Sequence, residues 1–389
     1  MSKTICLIHH AAIQGYPYLI DTAKVLAQAG WQVDVIALSD DPLPAYRFQD
    51  PRIYAYRFRH IVKGAGKLQR LARFSLYVPW AVVIACRRRY SAFIGFDQNG
   101  LIAASLASLR SPRAPVLYYI PELHVSTDLT AAMDLFKKLL ERFFSRRAIA
   151  SIIQDRRRAA VLAQDNRLNP KQVYLVPNAP LSGDSSIQRK DYLPRLLAQH
   201  GIEDSKTIVL HMGTVSDLTR VRDIGQTVDR WPAECVFVVH GWGEPAYIRE
   251  LEKLSARHSP PRIVISTTVL PYDEVDALVG SADIGVALYD SGTVNRYEMA
   301  SGKLYQYMKA GIPVIASDFP ALREVVEGND VGICVNGDDE GAIMAAVHLL
   351  AGDPGLRQRY GQNARRAFLE KYAYKRNFAA VLRLLDSST

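Results

Sequence analysis

The chain has 389 residues, too many for one ordinary core, so about two domains of roughly 100–200 residues are expected. With 49% hydrophobic and 22% charged residues and no low-complexity run, the composition excludes a collagen-like or disordered chain. Four scattered cysteines, Cys6, Cys86, Cys235 and Cys334, form no CxxC pair and read as small core residues of a reducing compartment rather than a disulfide framework. The start of the sequence lacks a signal-peptide pattern, and a cytoplasmic location is expected.

The net charge is +9, concentrated early, where Arg57, Arg59, Lys63, Lys67, Arg70 and Arg73 precede Arg87, Arg88 and Arg89. Between these groups, Phe74 to Cys86 is strongly apolar but far short of the roughly 20 residues that span a bilayer. It reads as a buried helix or as an interfacial segment. The basic flanks suit an anionic inner-membrane surface, a phosphate-bearing acceptor, or simple solubility. No nucleic-acid-binding motif accompanies the charge, so no nucleic-acid partner is expected.

In chain order, Thr4 to His9 predicts a strand, and a loop with Gly15 and Pro17 leads to a helix over about Leu19 to Gln28 that stops at Gly30. Trp31 to Ala37 is the second strand, so a right-handed parallel crossover is expected. The rhythm continues with strands at Ser91 to Phe96, Val116 to Ile120, Ala148 to Gln154 and Gln172 to Val176. Around Pro177 to Pro180 it gives way to the polar stretch Ser182 to Arg189, read as an interdomain linker. A second series follows at Thr207 to His211, Val236 to His240, Ile263 to Ser266, Ile284 to Ala287, Pro313 to Ala316 and Gly332 to Val335. Leu356 to Leu385 has helical apolar spacing. The class is α/β, two Rossmann-like domains whose strand ends bound a cleft, where open α/β sheets bind ligands. The expected division is 1–181, a linker at 182–204, a second domain at 205–372, and a C-terminal helix at 373–389 returning to the first domain.

The most informative stretch is Tyr297 to Ser317, YEMASGKLYQYMKAGIPVIAS. Ser301 and Gly302 are good helix-start residues, and a helix from Lys303 to Ala310 presents free N–H groups and its positive dipole end to a diphosphate, with Lys303 at that end. The stretch resembles the family 4 retaining glycosyltransferases, of the GT-B fold and the glycosyl transferases group 1. Their donor site carries two glutamates eight positions apart, then a helix, a small-residue turn with Gly and Pro, and an apolar strand. Glu298 falls on the first glutamate, which the family uses on hydroxyls of the donor sugar; Gln306 stands where the second holds the ribose. A glutamine carbonyl still accepts a hydrogen bond there, without charge assistance.

The resemblance implies further donor contacts. Gly213 and Thr214 follow the first strand of the second domain, with Arg220 favoured over Arg222 as the cation that the family places nearby. Gly241 and Gly243 match its glycine-rich turn after the next strand, and Val269 and Leu270 lie where the base is cradled. In the first domain, Gly15 resembles a reduced phosphate loop. Glu122 and His124, just past a strand, are candidates for acceptor binding or proton handling, with Asp97 and Asn99 after the preceding strand. No metal-ligand spacing appears and no cofactor or metal is expected.

The implied activity is hexosyl transfer from a nucleotide-sugar to a glycan or lipid-linked acceptor with retention and without metal, in cell-surface polysaccharide or glycolipid assembly, by a cytoplasmic enzyme peripheral to the inner membrane. A sugar-nucleotide epimerase on the same fold, and a non-catalytic binding protein that has kept it, stay open as alternatives.

Overall fold

The computed structural model describes residues 3–39, 45–59, 67–182, 191–202, 207–299 and 301–389, with only the backbone described at 67–74 and 273. Lys63 and most of the polar stretch 182–189 lie outside the described residues, as do the side chains of Lys67, Arg70 and Arg73. Internal contacts divide the chain into one unit of Met1–Leu181 with Tyr374–Thr389, and another of Ser182–Ala373.

Strands such as Ile5 to Ile8 and Val33 to Ala37 are near-continuous runs of buried apolar residues, the pattern of parallel strands covered on both faces. In the first unit the order is β1 (Thr4–Ala12), α1 (Pro17–Gln28), β2 (Gln32–Leu38), β3 (Ile53–Phe58), α2 (Lys67–Ala85), β4 (Ala92–Phe96), α3 (Asp97–Ala107), β5 (Val116–Tyr119), α4 (Ala132–Ser145), β6 (Ala150–Ile153), α5 (Arg156–Asn166) and β7 (Val173–Leu175). Among the described residues these strands form one parallel sheet ordered β3-β2-β1-β4-β5-β6-β7. Its core includes Phe93, Tyr77, Ala103 and Ala107 between the sheet and helices α2 and α3.

The second unit runs α6 (Tyr192–Gln199), β8 (Thr207–Val215), α7 (Val221–Thr227), β9 (Cys235–Gly243), α8 (Pro245–Ser255), β10 (Ile263–Ser266), α9 (Val275–Val279), β11 (Ile284–Ala287), α10 (Val294–Tyr297), α11 (Gly302–Ala310), β12 (Val314–Ser317), α12 (Pro320–Val326), β13 (Gly332–Val335), α13 (Glu340–Gly352) and α14 (Pro354–Ala367). Its described strands form a parallel sheet ordered β10-β9-β8-β11-β12-β13. Helix α15 (Tyr374–Ser388) belongs to the first unit, where the Tyr374 hydroxyl meets Thr22 Oγ1 on α1 at 2.6 Å and Lys3 pairs with Asp386 at 2.9 Å.

Four expectations need correction. Strand β3 was not foreseen, because its half-exposed sequence IYAYRF reads as part of the basic cluster. The linker at 182–204 contains α6, whose Leu193 and Leu197 are buried and whose Leu193 N–H donates to Ser281 Oγ at 3.1 Å. The terminal helical segment is broken: one wide turn at Phe368–Tyr372 ends at Ala373, which has an extended backbone, and α15 starts anew. Strands β8 and β9 run further than their apolar runs, through Val215 and Gly243, so His240 to Gly243 is strand and not turn. The cause of the last is close backbone approach. Gly213 faces Gly241 across the ladder, and a Cβ at Gly241 would lie 1.7 Å from the Gly213 carbonyl oxygen. Only glycine allows that pairing. Among the described residues no helix is long and apolar enough to cross a membrane.

Candidate active site

At the C-terminal edge of the second sheet, hydrogen bonds tie three segments together. The β11 strand leads to Tyr289, whose N–H donates to Ser317 Oγ at the end of β12 at 2.8 Å, while the Ser317 hydroxyl donates to the Tyr289 carbonyl at 3.2 Å. The N–H of Asp290 donates to the carbonyl of Leu218, in the turn after β8, at 3.2 Å. Asp290 also forms an ion pair with Arg296 on α10, and Thr293 caps that short helix by accepting from the Arg296 N–H at 3.3 Å. Glu298 follows directly, half-buried, with its N–H bonded to the Val294 carbonyl at 3.0 Å.

Helix α11 begins as its sequence predicts. Ser301 is its N-cap, the side chain accepting from the Lys303 N–H at 3.2 Å. The Ser301 hydroxyl is in turn bonded to the Tyr289 hydroxyl. The helix ends at Gly311, whose φ of 74° is the left-handed conformation glycine adopts at the residue past a C-terminus. Tyr307 fixes the helix on the sheet, its hydroxyl 3.0 Å from the Leu210 carbonyl and 3.3 Å from that of Val286.

Lys303 is the unusual group. Its stem keeps partial exposure, but Nζ is shut off from solvent and has no hydrogen-bond partner; it lies 4.9 Å from the centre of the Tyr289 ring. Cation–π contact compensates only part of the lost hydration. Burial accordingly lowers its pKa to about 7. Nearby His211, fully buried, is held well below its usual pKa by burial and then by the Lys303 charge, against a hydrogen bond with the Thr214 carbonyl at 3.0 Å. Gln306, one turn into α11, is buried and its Oε1 has no hydrogen-bond partner.

Two candidate cations separate cleanly. Arg220, in a left-handed conformation just before α7, pairs with Asp223 at 3.1 Å and with Asp338, and its Cγ lies near Gly337 just past β13, so it stands at this same edge. Arg222 points away into a network with Asp217, Glu250 and the Tyr247 ring. A side chain at Gly213 would meet nothing within 4 Å, so the β8 backbone is open to close approach there. Val269 is exposed and Leu270 half-buried in the segment after β10, at the far edge of the sheet.

The first unit has its own cluster at the corresponding edge. His9 is fully buried near the end of β1, with Nε2 3.0 Å from Asp97 Oδ2 and 3.3 Å from the Tyr18 hydroxyl. Asp97 opens α3 with a φ of 55°, a strained conformation for a non-glycine residue. The Pro121 to His124 loop is held by its main chain: buried Arg158 donates to the Pro121 carbonyl at 2.9 Å, Gln154 to that of Ile120 at 2.7 Å, and Lys138 to that of His124 at 2.6 Å. The side chains of Glu122 and His124 are exposed, and Asn99 bonds His10 at 2.7 Å. Gly15 sits in the open loop before α1, where an added Cβ meets nothing. Sequence reasoning passed over His9, Tyr18 and Arg158. The signal for the first was present, since His9 is a polar residue in an otherwise apolar buried strand. Among the described residues no three His, Cys, Asp or Glu side chains gather as a metal site.

Comparison with known proteins gives this edge a context. Residues 194–367 match the family model described as Glycosyl transferases group 1. N-acetyl-alpha-D-glucosaminyl L-malate synthase of Bacillus anthracis is 25% identical over 194 residues, 49% of this chain and 48% of that protein, so the match spans about half the length of this curated relative. Among solved structures, sucrose-phosphate synthase from Thermosynechococcus elongatus superposes with a TM-score of 0.77 at 18% identity, covering 100% of both chains. The Anabaena protein Alr3699/HepE in complex with UDP-glucose superposes with a TM-score of 0.72 at 16% identity over 99% of each chain. The chain therefore has the GT-B fold of these neighbours, and its residues 194–367 resemble the glycosyl transferases group 1 family.

Proposed function

We propose that the protein is a retaining, metal-independent glycosyltransferase that moves a sugar from a nucleotide-sugar to a glycan or lipid-linked saccharide, in the assembly of cell-surface polysaccharide or glycolipid. One observation carries the reading: a buried ammonium with no hydrogen-bond partner, Lys303 Nζ, stands at the capped N-terminus of α11, on the C-terminal edge of a parallel sheet. A protein keeps such a group where an anion is to be bound, because the anion supplies the partner that the fold withholds. The UDP-glucose bound by the Anabaena neighbour supports a nucleotide-sugar as that anion.

In this reading the diphosphate lies against the Gly302 end of α11 and Lys303, and Gly213 admits it close to the β8 backbone. Arg220 contributes less, since Asp223 and Asp338 already share its charge. Glu298 accepts hydrogen bonds from the sugar hydroxyls, and Gln306 Oε1 accepts from a ribose hydroxyl. As the bond from the anomeric carbon to phosphate breaks, the helix end and Lys303 stabilise the charge left on the phosphate. The acceptor oxygen bonds to the same face of that carbon, and its proton passes to the leaving phosphate oxygen. Asp97, Glu122 and His124 are the acceptor-side residues of the first unit.

The test is turnover of purified protein with UDP-, GDP-, ADP- and TDP-sugars and saccharide or glycolipid acceptors in EDTA, with NMR assignment of the product anomer. Transfer with retention is the expected result. An inverted product overturns the stereochemistry, isomerisation of the donor without acceptor favours the epimerase, and binding of none of the four favours a non-catalytic protein.

A further inference from the structure

Helix α4 packs half-buried Leu140 and Phe144 against the core of the first unit, but it carries a second apolar face. Its buried residues are Lys138, Glu141 and Ser145, whereas Leu135, Phe136, Leu139 and Phe143 are 45%, 52%, 63% and 48% exposed. The charges of the polar side are paired: Lys138 Nζ lies 2.9 Å from Asp165 and 3.3 Å from Glu141, and Glu141 also accepts from Gln98 at 2.7 Å and Asn166 at 2.9 Å. Asp165 is partly buried, which raises its pKa, but hydrogen bonds from Lys138, the Ser126 N–H and Arg142 hold it below the usual range. Burying that much charge is costly unless every group is paired. The fold thus fixes the roll of this helix about its axis with paired charges and with Leu140 and Phe144 on the core, and leaves four large apolar side chains exposed, a face suited to something outside the chain.

The positions 135, 136, 139 and 143 fall on one stripe of a helix with a 3.6-residue period. The charges beside this stripe are positive. Arg142, tied to Asp165 at 2.6 Å, borders it, exposed Arg146 and Arg147 close its C-terminal end, and the Arg147 guanidinium sits 3.6 Å from the centre of the Phe143 ring. The acidic residues of the helix, Asp134 and Glu141, lie on the opposite side.

We propose that the outer face of α4 docks the protein on an anionic lipid surface, with Leu135, Phe136, Leu139 and Phe143 entering the acyl boundary and Arg146 and Arg147 meeting the headgroups. Lipid is favoured over a protein partner by the combination of an apolar stripe with arginines at its border and C-terminal end, the helix's own acidic residues lying opposite, on an amphipathic helix of 14 residues. The surface deepens the functional reading by giving an enzyme of lipid-linked acceptors a lipid partner, and places the expected membrane contact on α4 rather than on the segment Phe74 to Cys86. It does not require glycosyl transfer, so its failure and the failure of that reading are separable.

The experiment is flotation of the full chain with vesicles of phosphatidylcholine alone or with about 30 mol% phosphatidylglycerol. Wild type is expected to float with the anionic vesicles. L135Q/L139Q is expected to bind them roughly tenfold or more weakly, and R146Q/R147Q roughly 30-fold more weakly, without change on phosphatidylcholine. The substituted side chains are exposed and only Arg146 gives up a part-buried hydrogen bond, to the Asn166 carbonyl at 2.9 Å, so the nucleotide-induced shift should match wild type in both variants and the melting temperature should match it in L135Q/L139Q. Absence of flotation by wild type overturns the proposal, and so does equal flotation of wild type and L135Q/L139Q. A wild-type dimer that L135Q/L139Q converts to monomer, with no vesicle binding, assigns the face to self-association and overturns it as well.

Discussion

Replacing Lys303 with methionine separates its charge from its volume, and its lowered pKa predicts how donor affinity in the proposed site should depend on pH. With a pKa of about 7 in the free protein, Lys303 is about half charged at pH 7 and about 1% charged at pH 9. An anion binds the charged form, so the complex must take up a proton above pH 7, and the apparent affinity falls by about tenfold per pH unit. Between pH 7 and pH 9 the loss is about 50-fold, or about 2.3 kcal/mol. Two neighbouring groups and the ligand itself do not add to this fall. His211 is held neutral by burial, Tyr289 is pushed far above the window by burial, and a terminal phosphate with a second pKa of about 6 is already dianionic. Isothermal titration with UDP, or with whichever nucleoside diphosphate binds best, should show this fall in wild type and a flat, weaker profile in K303M. Equal slopes in the two proteins, or no slope in wild type, would refute the assignment of the anion to Lys303.

The same pKa predicts a stability effect. The unfolded chain, with Lys303 near 10.5, binds more protons than the folded one between about pH 7 and pH 10.5, so this residue makes stability rise with pH across that window. K303M should be the more stable protein without ligand, by at most about 5 kcal/mol below pH 7, and its advantage in melting temperature should vanish as pH approaches 10.5. Gly241→Ala puts a Cβ 1.7 Å from the Gly213 oxygen and should cost about 3 kcal/mol or more, a fall of roughly 6–12 °C in Tm by calorimetry. If Glu298 binds the sugar hydroxyls as proposed, Glu298→Gln should weaken a nucleotide-sugar roughly tenfold while leaving the bare nucleoside diphosphate unaffected; competitive titration of the two ligands checks this.

The parallel sheets were legible because their strands are continuous apolar runs bounded by Gly, Pro and polar residues. The start of α11 was legible because Ser301 and Gly302 are local signals whose partners lie within two residues. Edges were not. Strand β3 mixes exposed and half-buried residues, and the extension of β8 and β9 rests on glycines that a single strand reads as breaks but that pair across the ladder as Gly213 and Gly241. Groups joined only by tertiary structure were also hidden. The His9 and Asp97 pair spans two strand ends, the Tyr289 hydroxyl reaches Ser301 from another segment, and the withheld partner of Lys303 is a property of the packed site. Helix α4 misleads in another way, since it carries apolar residues on two faces and only packing shows that Leu140 and Phe144 meet the core while Leu135, Phe136, Leu139 and Phe143 stay exposed.

The central claim is that the second unit holds a nucleotide-sugar against Lys303 and the start of α11. It is tested most directly by thermal-shift measurement of the full chain with UDP-, GDP-, ADP- and TDP-sugars, wild type beside K303M, since a ligand that binds only the native state raises its melting temperature. The account predicts that one nucleotide-sugar stabilises wild type and that K303M loses most of that shift. A shift of equal size in both proteins, or none in wild type with any of the four, would contradict it.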